Sequence, residues 1–422
     1  MKKNIIKNYE LAREYFSKYR IETDKVLDEL KDIPLSVHCW QGDDCGGFEK
    51  KDSVLSGGGI LSTGNHPGKA RNIKELRDDI EKAFSMIPGK KRLNLHAMYG
   101  DFKSEYFDRD KIENKHFDSW IDWAQAINVG LDFNPTLFSH PKANDGFTLS
   151  SKNKNIRKFW VEHVKKSREI SNYIGEKIGN PCIMNLWIPD GSKDLPVSRF
   201  EHRKFLIDSL DEIFSVKYEA KNIIDSLEGK LFGIGSESYV VGSYDFYLSY
   251  AIKNDKFITL DTGHFHPTEL VSDKISALIP FVRGIVLHLS RGVRWDSDHV
   301  IILTQELISI MKEIVRAGAL DKVYLASDFF DGSINRIGAW VIGIRAISKA
   351  LLSALLEPVN ILRDYENNNI LFARLGFLEQ LKTMPFGAIW DYYCIKMGVL
   401  TEDKWIEEVR NYENVLNKRT NF

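Results

Sequence analysis

Short apolar runs alternate along the chain with longer stretches in which apolar residues recur at helical spacing. The short runs are rich in β-branched and aromatic residues, and most of them end in polar residues. Such strand-then-helix units are typical of a parallel sheet covered by helices. The predicted strands are 35–40, 93–98, 129–134, 183–188, 223–228, 257–261, 284–289 and 323–328, and the clearest predicted helices are 72–86, 156–178, 203–214 and 305–317.

Eight alternations of this kind predict an α/β fold, a (β/α)8 TIM barrel in which the sheet closes on itself. A doubly wound open sheet is the alternative fold. It is disfavoured because no glycine-rich nucleotide-binding turn follows the first predicted strand.

The two ends of the chain look additional to the barrel. Residues 1–31 predict one or two N-terminal helices, and residues 334–422 predict a C-terminal helical extension that begins with the apolar stretch 337–355. We therefore expect a barrel domain over 1–333 and an extension over 334–422. The extension either contacts neighbouring subunits, which we favour, or wraps its own barrel.

Composition narrows the class of protein. The 422 residues are 43% hydrophobic and 28% charged, with a formal net charge of −1, which is an ordinary globular composition. Near-neutral charge gives no electrostatic reason to expect nucleic acid or a membrane surface as a partner. The four cysteines form no CxxC pair, and the N-terminus lacks the apolar core of a signal peptide. We expect a soluble cytoplasmic protein with reduced thiols.

Acidic and histidine residues mark the ends of the later predicted strands. Glu228 and Asp261 each close a strand, His288 lies near the end of the next, and Asp328 finishes the last. The intervals between them are 33, 27 and 40 residues, and one strand-helix-strand unit takes roughly 30 or more. Because the carboxyl ends of barrel strands face one mouth, the spacing predicts that these four side chains form a metal site there.

A second group of candidate ligands follows in the loops. His264 and the carboxylate pair Asp296 and Asp298 could hold a second ion, and Lys230, two residues after Glu228, is placed to polarise a substrate oxygen. Oxygen and imidazole donors suit Mg, Mn, Co or Zn. Two neighbouring cations can hold vicinal oxygens of a substrate and stabilise negative charge that develops on them.

Long, unusual motifs are spread over the whole chain: HCWQGDD (38–44), TGNHPGKARN (63–72), KRLNLHAMYGDF (91–102), GLDFNPTLFSHP (130–141), NLWIPDG (185–191), KLFGIGSESY (230–239), LDTGHFHPTE (260–269), RWDSDHV (294–300) and DFFDGSINRI (328–337). Through these motifs the chain resembles the bacterial L-rhamnose isomerases from end to end. That resemblance implies a (β/α)8 barrel, a homotetramer, two divalent metal ions and reversible conversion of the aldose L-rhamnose into the ketose L-rhamnulose.

The resemblance also assigns the candidate ligands to two metals. A catalytic metal, usually Mn²⁺, would be held more loosely than a structural metal such as Zn²⁺, Co²⁺ or Mn²⁺. The structural set is Glu228, Asp261, His288 and Asp328, and the catalytic set is His264, Asp296 and Asp298.

Sugar contacts follow from the same resemblance. Lys230 would contact O1 of the open-chain sugar, and His96 would touch the ring oxygen or O5 and assist ring opening. Trp187 would form an apolar wall of the pocket. Trp40 either lines the pocket with the neighbouring His38 or is a core tryptophan that ends the first strand.

The implied reaction is a metal-mediated hydride shift from C2 to C1. A water molecule oriented by Asp296 or Asp328 would carry the proton between O2 and O1. A base-driven route through an ene-diol is the competing mechanism, and the sequence leaves both open. It also leaves open whether the loop 41–71 closes its own site or that of a neighbouring subunit.

Other functions compete with this interpretation. A metal-dependent phosphoesterase of barrel architecture would need a basic groove for its substrate, which the neutral composition disfavours. A sugar epimerase would need two opposed carboxylate bases. A non-catalytic sugar-binding module would have no use for two cations or for Lys230 beside Glu228.

Overall fold

The structure is a computed structural model that describes residues 2–49, 62–103, 105–230, 238–293 and 295–419, without the side chains of Trp295 and Asp296. Among these residues, eight parallel strands close into a barrel in the order of the chain. The strands are β1 (Leu35–His38), β2 (Lys91–His96), β3 (Gly130–Asn134), β4 (Cys182–Trp187), β5 (Ile223–Glu228), β6 (Phe257–Asp261), β7 (Ile285–Leu289) and β8 (Val323–Ser327).

The barrel confirms the predicted (β/α)8 fold. The predicted strand bounds differ from the observed ones by two residues or fewer, and those of β5 and β6 coincide with them. Strands β1 and β8 pair in parallel, with Val37 opposite Ser327, and this pairing closes the sheet. Most strand residues are buried on both faces, as expected of a parallel sheet covered by helices.

Helices surround the barrel and extend it at both ends. The first two described helices account for the predicted N-terminal segment at 1–31. The described α-helices are α1 (Lys2–Ser17), α2 (Thr23–Leu30), α3 (Ile73–Phe84), α4 (Asp118–Ala126), α5 (Lys154–Ile178), α6 (Arg199–Ile213), α7 (Tyr244–Lys253), α8 (Val271–Leu278), α9 (Gln305–Arg316), α10 (Arg336–Leu355), α11 (Val359–Asn367), α12 (Leu371–Leu381), α13 (Phe386–Lys396) and α14 (Lys404–Leu416).

Helix α10 follows the last strand and packs against both α9 and α3, so it occupies the eighth position in the ring of helices. Its length and apolar composition match those of a membrane span, but 83% of its most apolar window is buried inside the protein. It also carries the buried Arg345, which donates hydrogen bonds to the carbonyls of Met86 and Leu400. The division of the chain between 333 and 334 stays a prediction.

The interior of the barrel changes from apolar to polar towards the C-terminal ends of the strands. A separate apolar cluster of Ile183, Ile224, Phe257 and Val286 lies in its lower part. Because side chains alternate between the two faces of a strand, the inward positions above this cluster come two and four residues later. Those positions are Asn185 and Trp187 on β4, Ser226 and Glu228 on β5, Thr259 and Asp261 on β6, and His288 on β7.

A buried charge cluster joins β5 to helix α5. The Asp225 carboxylate accepts hydrogen bonds from Arg168 Nε at 2.8 Å and from Lys256 Nζ at 2.7 Å. Burial by itself raises the pKa of Asp225, but the two cations outweigh burial and lower that pKa below its ordinary value. The carboxylate is therefore ionised and paired at neutral pH.

Candidate active site

Four ligand-type side chains meet at the C-terminal mouth of the barrel. Glu228 ends β5, Asp261 ends β6, His288 lies in β7, and Asp328 directly follows β8. All four are buried, and each offers a ligand atom within 4.8 Å of those of the other three. The structure thus brings together the four residues that the strand spacing grouped, because β5 to β8 are consecutive neighbours in the barrel.

The arrangement of these groups fits a divalent metal ion. His288 Nδ1 lies 2.9 Å from Asp328 Oδ2 and 3.5 Å from Glu228 Oε2. Even so, neither ring nitrogen of His288 makes a hydrogen bond of ordinary geometry with any described residue. Buried carboxylate oxygens and an imidazole whose ligand atoms converge form a donor set of the kind that Mn, Co or Zn accepts.

The pKa values of Glu228 and His288 shift in opposite directions. Burial raises the pKa of Glu228, but His288 and His264 more than offset this and hold it well below its ordinary value. Burial lowers the pKa of His288, but Glu228 and Asp328 outweigh burial and hold it well above its ordinary value. His288 is therefore protonated within this cluster, and a metal that binds the neutral ring must displace that proton.

His264 lies on the loop three residues after the end of β6. Its Nδ1 is 3.0 Å from Glu228 Oε1, and its Nε2 is 3.8 Å from Asp261 Oδ2. Its ring is roughly parallel to that of Trp187, with 6.4 Å between the centroids. His264 therefore lies between the four-residue cluster and the aromatic side of the mouth.

The remaining two predicted ligands lie in the second strand of a small hairpin formed by Arg291–Val293 and Trp295–His299. The Asp298 carbonyl accepts a hydrogen bond from Phe330 N at 3.2 Å, which holds this hairpin beside the segment that follows β8. The side chain of Asp296 lies outside the described residues. The ligand set of His264, Asp296 and Asp298 therefore stays a prediction.

Aromatic rings form the other side of the mouth. Trp40 stacks on His96 with 4.1 Å between the centroids, and Phe138 meets the ring of Trp187 edge-on. Lys230 Nζ lies 4.9 Å from the Trp187 ring centroid. The indole N–H groups of both tryptophans and the Nε2 atom of His96 are buried without a hydrogen-bond partner among the described residues. An apolar wall with a few polar atoms is typical of a small-molecule site.

His96 is a neutral group in this wall. Burial is the main cause that holds its pKa well below the ordinary value, and the neighbouring rings of His38 and His288 add to that shift. Its Nδ1 lies 3.3 Å from Thr136 Oγ1. His96 can therefore exchange hydrogen bonds with a substrate without carrying a charge.

His38, at the end of β1, lies among the candidate metal ligands, which the sequence analysis did not predict. Its Nδ1 hydrogen-bonds to the Ser327 carbonyl, which can only accept, so Nδ1 carries the hydrogen and Nε2 keeps its lone pair. That Nε2 lies 3.8 Å from Asp328 Oδ1, and His38, His288 and Asp328 form a second group with converging ligand atoms. The available signal was the position of His38 at the end of a strand that pairs with β8.

Backbone and side-chain donors orient the carboxylates from behind. Asn185 Nδ2 donates to Glu228 Oε2 at 2.5 Å. The Gly263 N–H and the Ser290 hydroxyl both donate to Asp261 Oδ1, at 2.7 and 3.2 Å. The sequence analysis did not predict these donors. Their only sign in the chain is the alternation of inward-facing and outward-facing positions along a strand. Donors of this kind orient ligands at metal sites.

Some sequence features lie beyond the described residues. Within the loop 41–71, residues 50–61 are not described, and neither are residues 231–237 of the motif that begins at Lys230.

Comparison with known proteins gives consistent matches over the whole chain. The profile of a protein family described as L-rhamnose isomerase (RhaA) matches residues 3–419. The L-rhamnose isomerase of Rhodopirellula baltica is 53% identical over 418 residues, which cover 99% of this chain and 97% of that protein. The L-rhamnose isomerase of Bacteroides thetaiotaomicron is 52% identical over 416 residues, which cover 98% and 99%.

Among solved structures, one described as L-ribulose 3-epimerase aligns with a TM-score of 0.46 and 11% sequence identity, over 76% of this chain and 95% of that one.

Proposed function

The chain belongs to the L-rhamnose isomerase family, and from this we propose that it is an aldose-ketose isomerase that interconverts L-rhamnose and L-rhamnulose. The observation that carries the proposal is sequence identity of 53% and 52% to two L-rhamnose isomerases over nearly their whole lengths. The buried carboxylate and histidine cluster at the barrel mouth supports it.

We assign two divalent metals to the site. The structural ion, a divalent metal such as Zn²⁺, Co²⁺ or Mn²⁺, would be held by Glu228, Asp261, His288 and Asp328, and the convergence of their ligand atoms supports this assignment. The catalytic ion, Mn²⁺, would bind His264, Asp296 and Asp298. When bound, such metals supply Lewis-acid stabilisation of negative charge on vicinal sugar oxygens.

The aromatic side of the mouth would bind and open the sugar. His96, neutral and stacked on Trp40, is suited to exchange a hydrogen bond with the ring oxygen or O5 during ring opening. Trp40 and Trp187 would cover the sugar and exclude water. Lys230, beside Trp187, would donate to O1 of the open-chain form.

Proton transfer between O1 and O2 would use a carboxylate at the mouth. Asp328 or Asp296 would orient a water molecule that moves this proton while hydrogen passes from C2 to C1. The position of Asp328, at 2.9 Å from His288 and 3.8 Å from His38, keeps its carboxylate inside the site and supports this role.

The assembly and cellular setting are also proposals. We infer a soluble cytoplasmic homotetramer with no nucleic-acid or membrane partner, in which the extension 334–422 makes subunit contacts. No residue of α12, all of which the structure describes, is buried, and Phe372 and Leu375 are 83% and 61% exposed. Exposed apolar surface of this kind favours a protein interface.

Ketose formation by metal-stripped protein tests the proposed reaction. We expect L-rhamnulose to form from L-rhamnose only after Mn²⁺ is added, and His264→Ala to remain inactive with Mn²⁺. His266→Ala is the matched control, because His266 is exposed and its Nδ1 bonds to Thr268 in its own loop. Absence of ketose from the wild type with Mn²⁺, Co²⁺ and Zn²⁺ would contradict the proposal.

A further inference from the structure

Three polar residues occupy a layer of the barrel interior directly beneath Glu228. Asn185, Ser226 and Thr259 are each fully buried, and they lie on the adjacent strands β4, β5 and β6. Barrel interiors are usually filled by bulky branched apolar side chains. The same three strands carry Ile183, Ile224 and Phe257 two positions earlier, so apolar residues do pack in this half of the barrel. The polar layer therefore needs a different explanation.

The hydrogen bonds of this layer run in one direction. The Glu228 carboxylate can only accept, so the amide nitrogen of Asn185 faces it and the amide oxygen faces away, towards Thr259. Thr259 Oγ1 donates its single hydrogen to that oxygen at 2.7 Å. Ser226 Oγ, at 2.6 Å from Thr259 Oγ1, must then be the donor of that pair. The chain of donors runs from Ser226 through Thr259 and Asn185 to Glu228.

We propose that Asn185, Thr259 and Ser226 are positioning residues that fix the orientation of the Glu228 carboxylate for divalent-metal binding. This inference rests on the proposed function. Asn185 holds Oε2 at 2.5 Å, while Oε1 faces His264 Nδ1 at 3.0 Å. With Oε2 held by Asn185, rotation about the last side-chain bond of Glu228 is restricted, and the carboxylate keeps one orientation relative to His264 and His288.

The network also explains why Asn185 keeps its own orientation. If an asparagine amide is held on one side only, it can rotate and turn its oxygen towards the carboxylate. The amide oxygen and the carboxylate oxygen would then repel each other. Thr259 prevents this rotation, because its hydroxyl accepts from Ser226 and so has its hydrogen directed at the asparagine oxygen. Ser226 therefore acts on Glu228 through Thr259 and Asn185, and Thr259 acts on it through Asn185.

Thr259→Val tests the network, because valine keeps the shape of threonine and removes the hydroxyl. Metal-stripped protein is titrated with Mn²⁺ by calorimetry, and thermal unfolding is followed in parallel. We expect Thr259→Val to bind Mn²⁺ about 10–100-fold more weakly, as found when residues that orient metal ligands are replaced. Thr259→Ser, which restores the hydroxyl, should bind close to the wild-type affinity.

Thr23→Val is the matched control, because Thr23 is equally buried and its hydroxyl lies 2.9 Å from Tyr9 Oη in the N-terminal helices. It should bind Mn²⁺ like the wild type. Wild-type affinity in Thr259→Val, or an equal loss in Thr23→Val, would overturn the proposal. If Thr259→Val does not fold, Ser226→Ala takes its place, and unchanged affinity there overturns it as well.

The two proposals fail in different ways. Wild-type protein that binds Mn²⁺ but forms no ketose contradicts the proposed reaction, and the comparison of the Thr259 variants still decides the network. Normal isomerisation together with equal Mn²⁺ affinity in all variants contradicts the network alone.

Discussion

His288 is the residue at which protonation and metal binding compete most directly. Glu228 and Asp328 hold its pKa well above the ordinary value, so the ring keeps its proton through the neutral range. We expect Mn²⁺ affinity to rise as the pH is raised between about 6 and 9, because metal binding releases the His288 proton and a lower proton concentration favours that release. Calorimetric titrations at several pH values measure this, and an affinity independent of pH would refute it.

Single residues also show how far sequence predicts the site. The spacing of Glu228, Asp261, His288 and Asp328 grouped them correctly in space, since the end of a parallel strand is visible as the last polar residue of an apolar run. The sequence analysis did not place His38 beside Asp328, nor did it predict that Asn185 holds Glu228. Their contacts depend on strand register and on the direction of hydrogen bonds, and neither leaves a distinctive pattern in the chain.

Among the elements, β5 and helix α5 are joined by the buried cluster of Asp225, Arg168 and Lys256. We expect Asp225→Asn to lower the free energy of unfolding by about 3–5 kcal/mol, because two buried cations lose their counter-charge. Denaturant unfolding at neutral pH measures this loss. Asp208→Asn, an exposed change on α6, is the control and should stay near the wild type.

The stability that ionised Asp225 contributes depends on pH, and the pKa of Asp225 gives the direction of this dependence. The folded pKa of Asp225 is lowered from 3.8, so its contribution is fully present above that value and is lost as the pH falls through the lower, folded pKa. The difference in free energy of unfolding between the wild type and Asp225→Asn should therefore become smaller only in strong acid. A gap that closes near neutral pH would contradict this assignment.

The hydrophobic pattern along the chain locates the strands but does not show which helices pack against α10. Strands β1 to β8 were predicted within two residues because each is a short apolar run bounded by polar residues. Helix α10 packs against ring helices on one side and against α2, α13 and α14 on the other. It is buried on nearly all sides, so it has no polar stripe that would identify it as a ring helix.

Among the described residues, helix α12 presents an apolar face that the rest of the described chain does not cover, with Phe372 and Leu375 exposed. We expect Phe372→Glu to shift the proposed tetramer towards smaller species, because burying a carboxylate in an apolar interface is costly. Light scattering coupled to size exclusion measures this. Phe200→Glu on α6, where Phe200 is 71% exposed, is the control. An intact tetramer in Phe372→Glu would exclude this face from the interface.

The converging ligand set comes entirely from the second half of the barrel, and its last member follows β8. During synthesis, Trp40 and His96 leave the ribosome long before Asp328 does. A growing chain therefore contains these residues of the aromatic side of the mouth before it contains all four metal ligands. A cation can be held by all four ligands only after β8 has docked beside β7. Metal binding would then stabilise the folded barrel, and at a free metal concentration of 100 times Kd it would do so by about 2.7 kcal/mol.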